Sequence, residues 1–187
     1  GLANIAILVL CFPLVPRLVN RCGKRDVILV MSAHCLVLSA LKVFVQFQNV
    51  WVYTAIYILA MIGQTAFTML IWALVTDCLD YSEWKLNIRS DGSMYSLYTF
   101  SRKIGSTIAS TGAASALAAI GYVSGTNVVQ TAATVNNIYY LVNIVPVITC
   151  VLELIGIGLI FNLDKKTTNQ MYAELAQRRA QAAETQE

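Results

Sequence analysis

Charge is scarce in this 187-residue chain. Asp, Glu, Lys and Arg make up only 12% of it, against about 25% in a typical soluble domain. Residues 43–76 and 104–152 carry no formal charge at all. A surface facing water needs charge at shorter intervals, so a water-soluble globule is excluded. With 57% apolar residues, intrinsic disorder is excluded too. Histidine occurs once, at His34, and the five cysteines (Cys11, Cys22, Cys35, Cys78 and Cys150) form no C-x-x-C pair. That leaves no metal-ligand spacing and no redox pair, so the cysteines read as packing residues. Strand-type alternation is missing, which argues against a β-barrel. A net charge of +3 is too small to suggest a nucleic-acid partner. Neither a nucleophile–base pair nor an H-E-x-x-H motif points to an enzyme, and nothing calls for a cofactor or a metal.

What is present is long apolar runs. A spanning helix needs about 20 largely apolar residues, and five segments approach or exceed that: residues 1–16, 26–46, 50–76, 95–121 and 138–162. The expected fold is therefore all-α, a polytopic transmembrane helical bundle. Pro13 and Pro16 are expected to end the first span. Lys and Arg cluster in residues 17–25, 77–94 and 163–187, whereas the linkers 46–50 and 122–137 contain neither. The positive-inside rule places the three basic segments in the cytoplasm, in a multi-pass protein of the cell membrane with a cytoplasmic C-terminus. The chain opens on Gly1 and runs straight into apolar residues, so it is expected to be part of a longer polypeptide. Residues 163–187 read as a short helical tail with Thr167 and Gln170 as a capping box and Met171 and Leu175 as a weak apolar stripe. A solvated extension is expected there.

Span four differs from the rest. Ser96, Thr99, Lys103, Ser106, Thr107 and Ser110 recur at steps of three and four and share one polar face. Tyr95, Tyr98 and Arg102 form a second face beside it. Lys103 lies about 12 Å along the helix from Tyr95, close to mid-depth if the span begins there. A cation at that depth needs water, a solute or a counter-charge, unless it reaches back to the headgroups. Ser101, Gly105, Ala109 and Ala113 form a small-residue ridge that admits a neighbouring helix. Glu153, within span five, needs a proton or a cation. His34 reads as a helix-to-helix hydrogen bond, Lys42 as a residue that snorkels outward, and Asn143 with Pro146 as a kink. If span three continues, Asp77, Asp80 and Trp84 share a face.

Two stretches carry a family resemblance. Asn20-Arg21-Cys22-Gly23-Lys24-Arg25 resembles the D-R-x-G-R-R loop of the major facilitator superfamily, with Asn20 in place of Asp. The pattern D-x-x-D-Y-x-E-x-K-x-x-x-R from Asp77, with Gly92, Tyr95-Ser96 and Lys103-Ile104-Gly105 after it, is similar to the glycoside–pentoside–hexuronide:cation symporters, the group that includes melibiose carriers. The resemblance implies a partial major-facilitator fold, helices eight to twelve of twelve, and sugar transport coupled to a Na⁺ or H⁺ gradient. It implies that Lys103, Tyr98, Trp72 and Thr99 face the substrate and that Asp77, Asp80, Arg89 and Arg102 belong to a cytoplasmic charge network. It further implies that the coupling cation binds carboxylates on helices of an N-terminal half outside this chain. That half, the sugar and the lipid bilayer are the expected partners. Arg102 stands where melibiose carriers have an apolar residue. A facilitator for a lipid or other organic solute, or a non-transporting membrane scaffold, are the alternatives.

Overall fold

The computed structural model describes residues 2–184 except 48, 126 and 127. Among these are six α-helices and no strand: α1 (Leu2–Cys22), α2 (Lys24–Phe44), α3 (Val50–Leu86), α4 (Asp91–Ala119), α5 (Ala132–Ile155) and α6 (Lys165–Glu184). A π-helical turn, Gly156–Ile160, continues α5. By length and composition α2, α3 and α5 with its π-turn suffice to cross a bilayer. α4 is long enough at 29 residues, but it is built from Ala, Gly, Ser and Thr. That composition suits a helix turned toward protein or water.

Helix α1 does not stop at its prolines: it runs through Pro13 and Pro16 to Cys22. In a membrane helix the carbonyls that a proline frees find other partners, and here Cys11 and Val15 are buried on either side of Pro13. The break falls instead at Gly23, whose φ of 99° is open to glycine. Its N–H donates to the Val19 carbonyl and its own carbonyl accepts from Val27, so α2 follows at once.

Helix α3 is the spine. Asn49 caps its start by accepting the Trp51 N–H, and Asn87 closes its end in the left-handed conformation. Its 37 residues span about 55 Å, well beyond a hydrocarbon core of about 30 Å. Part of it therefore runs past the hydrocarbon layer, and the charged stretch after residue 76, whose helicity depended on span three continuing, is helical to Leu86. Against it α2 packs so closely that a Cβ on Gly63 would lie 2.4 Å from the Met31 carbonyl oxygen. Ile28, Cys35, Ala60, Ala66, Leu70 and Leu74 fill the α2–α3 seam. Cys35 and Cys150 are buried as packing residues where α5 joins it. The His34 ring lies 3.2 Å from the Leu59 carbonyl oxygen, a contact between α2 and α3.

Lys42 does not reach outward. It is 2% exposed and its ammonium sits over the Tyr53 and Tyr57 rings of α3. Nor is the tail a solvated extension. Met171 and Leu175 of α6 are buried, and Lys165 donates to the carbonyls of Asn20 and Arg21 at the end of α1. The cap of α6 is the Asp164 carboxylate on the Thr167 N–H, not a Thr167–Gln170 box. The basic segments thus meet at one end of the bundle. At the other end, Gln46 bonds Asn136 and Tyr140, and Tyr139 bonds the carbonyls of Lys42 and Val45.

Gly63→Ala should force α2 and α3 apart and lower stability by about 1–3 kcal/mol. Gly92→Ala, where a methyl meets nothing within 4 Å, should be neutral or slightly stabilising. Thermal melting of the detergent-solubilised protein would check both.

Candidate functional site

Two groups of functional side chains stand apart. One lies where α4 leans on α3. Gln64, Thr68, Ile71 and Trp72 follow one another along one face of α3, and Tyr98 and Arg102 lie one turn apart on α4; together they line a cavity of about 230 Å³. The Trp72 and Tyr98 rings meet edge-on with centroids 4.7 Å apart, and Tyr95 adds a third ring 6.4 Å from Trp72. Both helices are continuous here, so the cavity wall is rigid. Trp72 and Tyr98, both singled out in the sequence, come together here. Arg102 was expected in the charge network and is instead part of this cavity. The correction is geometric: four residues from Tyr98, it falls on the same face of α4, toward Trp72.

Thr99 and Lys103 occupy the neighbouring face of α4, exposed and outside that lining. The hydroxyls around them turn inward. Ser106 and Thr107 donate to the Lys103 carbonyl, Ser110 to Thr107 and Ser96 to Ser93. These four hydroxyls are therefore satisfied on the helix's own backbone. Among the described residues no ion pair includes Arg102 or Lys103, and no residue of α4 is buried.

Behind the cavity, Gln64 donates its amide N–H to Glu153 at 3.1 Å, and Ser32 donates its hydroxyl to the other carboxylate oxygen at 3.1 Å. Glu153 thus ties α2, α3 and α5 together. Sequence reasoning singled out Glu153 but not Gln64 or Ser32, although an amide and a hydroxyl at matching depth were the available signal.

The second group lies on the projecting end of α3. Arg89 reaches Asp80 at 3.1 Å, Glu83 at 2.7 Å and Asp91 at 3.0 Å. From the tail, Arg179 reaches Glu83 at 2.6 Å and Asp80 at 3.4 Å. Asp80 and Arg89 come together in this group. Asp77, one turn earlier on α3, does not join them: it is buried, paired with Lys24 at 2.6 Å and accepting from the Tyr172 hydroxyl. Lys24 belongs to the turn at Gly23 and Tyr172 to α6, so Asp77 joins three segments. A cavity of about 420 Å³ opens beside it, between that turn and the tail. Farther along, Trp84 donates to Glu174 at 2.5 Å, and Arg178 to Asn87 at 3.0 Å. Hydrogen bonds from Arg179 and Arg89 hold the Glu83 carboxyl below its ordinary range; Trp84 and Gln170 do the same for Glu174. Tyr172, Glu174, Arg178 and Arg179 were missed by sequence reasoning. The paired arginines of the tail, facing acids three residues apart on α3, were the legible hint.

The sequence profile of a family described as MFS/sugar transport protein matches residues 1–165. Curated relatives are similar over much of the chain. The "Uncharacterized symporter YjmB" of Bacillus subtilis (strain 168) is 34% identical over 162 residues, 87% of this chain and 34% of that protein. The "Putative sulfoquinovose importer" of Escherichia coli (strain K12) is 33% identical over 174 residues, 93% of this chain and 37% of that protein. The "Isoprimeverose transporter" of Lactiplantibacillus pentosus is 31% identical over 183 residues, 97% of this chain and 37% of that protein. The chain spans about a third of the length of these relatives.

The docking of α6 should depend on pH. Because the folded Glu83 and Glu174 carboxyls lie below their unfolded values, their contribution is complete above an unfolded pKa of about 4.3. It fades as pH falls through the lower folded values. Hydrogen exchange of α6, corrected for intrinsic rate, should show slow exchange at neutral pH and loss of protection in acid. Glu83→Gln should show weakened protection already at neutral pH.

Proposed function

The chain belongs to the MFS/sugar transport protein family, and from that premise we propose that it forms the C-terminal part of a secondary active transporter. In this reading the complete carrier moves a sugar or glycoside together with a cation by alternating access. The chain is that of a multi-pass membrane protein, and its family and relatives are transporters rather than enzymes. The observation that carries the proposal is the cavity between α3 and α4, where aromatic rings and a cation lie on a helix that buries none of its residues in this chain. A helix this polar and this uncovered is suited to a partner half and a hydrated solute path.

Within that reading, Trp72 and Tyr98 stack on a pyranose ring, whose C–H face is apolar and suited to aromatic contact. Thr99 and Lys103 approach the solute and the coupling site from the adjacent face of α4. The coupling ion, Na⁺ or H⁺, binds carboxylates on helices outside this chain, and Lys103 supplies their counter-charge. Asp80, Glu83 and Arg89, with Arg179 of the tail, form ion pairs at the inner face that make and break as the carrier changes state. Exposed pairs of this kind contribute little each, which suits a gate that must reopen. The cytoplasmic placement of residues 17–25, 77–94 and the tail is supported by Lys24, Asp77 and Tyr172, one from each, meeting at one end of the bundle. The relatives' printed names include sulfoquinovose, a sulfonated sugar, and isoprimeverose, a neutral one, so they leave the charge of the solute open.

The test is uptake of labelled sugars by the complete polypeptide that contains this chain, in cells lacking other carriers, with and without a Na⁺ or H⁺ gradient. Gradient-dependent accumulation is expected. Lys103→Ala should abolish accumulation against a gradient at unchanged membrane abundance. Accumulation equal to the parent's would remove Lys103 from the coupling machinery.

A further inference from the structure

Gln64 is common to two cavities. It lines the α3–α4 cavity with Trp72 and Tyr98, and it also lines a cavity of about 190 Å³ between α2, α3 and α5. Its amide N–H donates to one oxygen of Glu153 at 3.1 Å, and the Ser32 hydroxyl donates to the other at 3.1 Å. Ser32 is buried, and Gln64 and Glu153 are half-buried. Both donors to the carboxyl are neutral. The titratable groups around it come from each packed helix. Cys35 of α2 and Cys150 of α5 are buried together, and Lys42 and Tyr57 line the second cavity with Gln64. Arg25 bonds the Ile157 and Gly158 carbonyls one turn beyond Glu153, and Arg102 shares the α3–α4 cavity with Gln64.

This triad of side chains is complete with or without a proton. Ionised, the carboxylate accepts from Ser32 on one oxygen and from the Gln64 N–H on the other. Protonated on that second oxygen, it donates instead, and half a turn of the Gln64 amide brings the amide oxygen round to accept. Ser32 goes on donating to the first oxygen. Neither state leaves a buried polar atom unpaired, so neither carries that penalty. What changes is the end of the amide that Gln64 keeps free. With its N–H on Glu153 it has an oxygen to offer a solute; with its oxygen on Glu153 it has an NH₂.

From this arrangement we infer that Glu153 is a proton-binding site within this part of the carrier, and that Gln64 couples it to the solute in the α3–α4 cavity. The inference rests on the carrier reading and adds a proton site to it, separate from the cation site outside this chain. Gln64 is a positioning residue: it carries the protonation state of Glu153 to the cavity as an exchange of acceptor for donor. A solute that prefers one end of the amide shifts the proton, and by linkage the proton shifts solute affinity by the same factor.

The experiment uses the complete transporter, purified, with whichever of labelled glucose, xylose and glucuronate it binds best. Solute affinity is measured from acid to alkaline pH, and infrared difference spectra follow the carboxylic-acid C=O stretch with and without solute. The parent's affinity should change by about tenfold across the titration of Glu153, a typical coupling between two sites. Glu153→Gln keeps the shape and fixes the group neutral; its affinity should lose that dependence, and the solute-sensitive acid band should vanish. In Gln64→Met, which keeps the bulk and loses the amide, the band should still titrate with pH but no longer respond to solute. Thermal melting checks that each variant is folded. The same pH dependence in Glu153→Gln as in the parent would overturn the inference. So would a parent without a titrating acid band that Glu153→Gln removes, the result expected if a cation from outside this chain pairs with Glu153. Both outcomes leave the carrier reading intact. A parent that binds none of these or any other sugar would overturn both.

Discussion

A charge placed in a layer without water must be met by another group, because the low dielectric makes an isolated ion costly. That requirement sorts the ionisable side chains of this chain. Lys42 is met by the quadrupoles of two tyrosines, Glu153 by a hydroxyl and an amide, and Asp77 by Lys24 and the Tyr172 hydroxyl. Each of these contacts crosses from one helix to another, so meeting the charge also sets which helices are neighbours. Arg102 and Lys103 stand outside the pattern, on the helix that buries none of its own residues.

The second organising feature is the continuity of α3. Because it is one helix of 37 residues, the same rod carries Gln64 and Trp72 within the bundle and Asp77, Asp80 and Glu83 at its C-terminal end. The tail helix grips that end through Arg178, Arg179 and Glu174 and grips the turn at Gly23 through Lys165 and Tyr172. A tilt of α3 that alters the α3–α4 cavity therefore also strains the inner ion pairs.

Much of the architecture was legible in one dimension. The apolar runs marked the helices, the small residues of span four marked it as unlike the others, and two pairs singled out in the sequence, Trp72 with Tyr98 and Asp80 with Arg89, lie together in the structure. The errors are instructive. Pro13 and Pro16 were read as a stop because proline breaks helices in water, yet burial between neighbours lets α1 continue to Cys22. Whether span three continued into the charged segment after residue 76 was left open, and the structure makes it helical to Leu86, where its charges face the tail. Lys42 was assigned to the headgroups by its position in the span, but it lies inward.

Composition, hydropathy and the distribution of basic residues are properties of the chain taken residue by residue. They were enough to establish an all-helical membrane protein and to mark the basic segments that meet at one end of the bundle. Which side chains meet was decided by how each helix is rotated and shifted against the next. Gly63 sets that register by letting α2 and α3 touch, and it brings Glu153 to Ser32 and Gln64. The rotation of α4 on α3 puts Arg102 in one cavity with Trp72, and that of α3 against the turn at Gly23 puts Asp77 beside Lys24. Rotation and register arise from packing between segments far apart in the chain, and no periodicity within one segment encodes them.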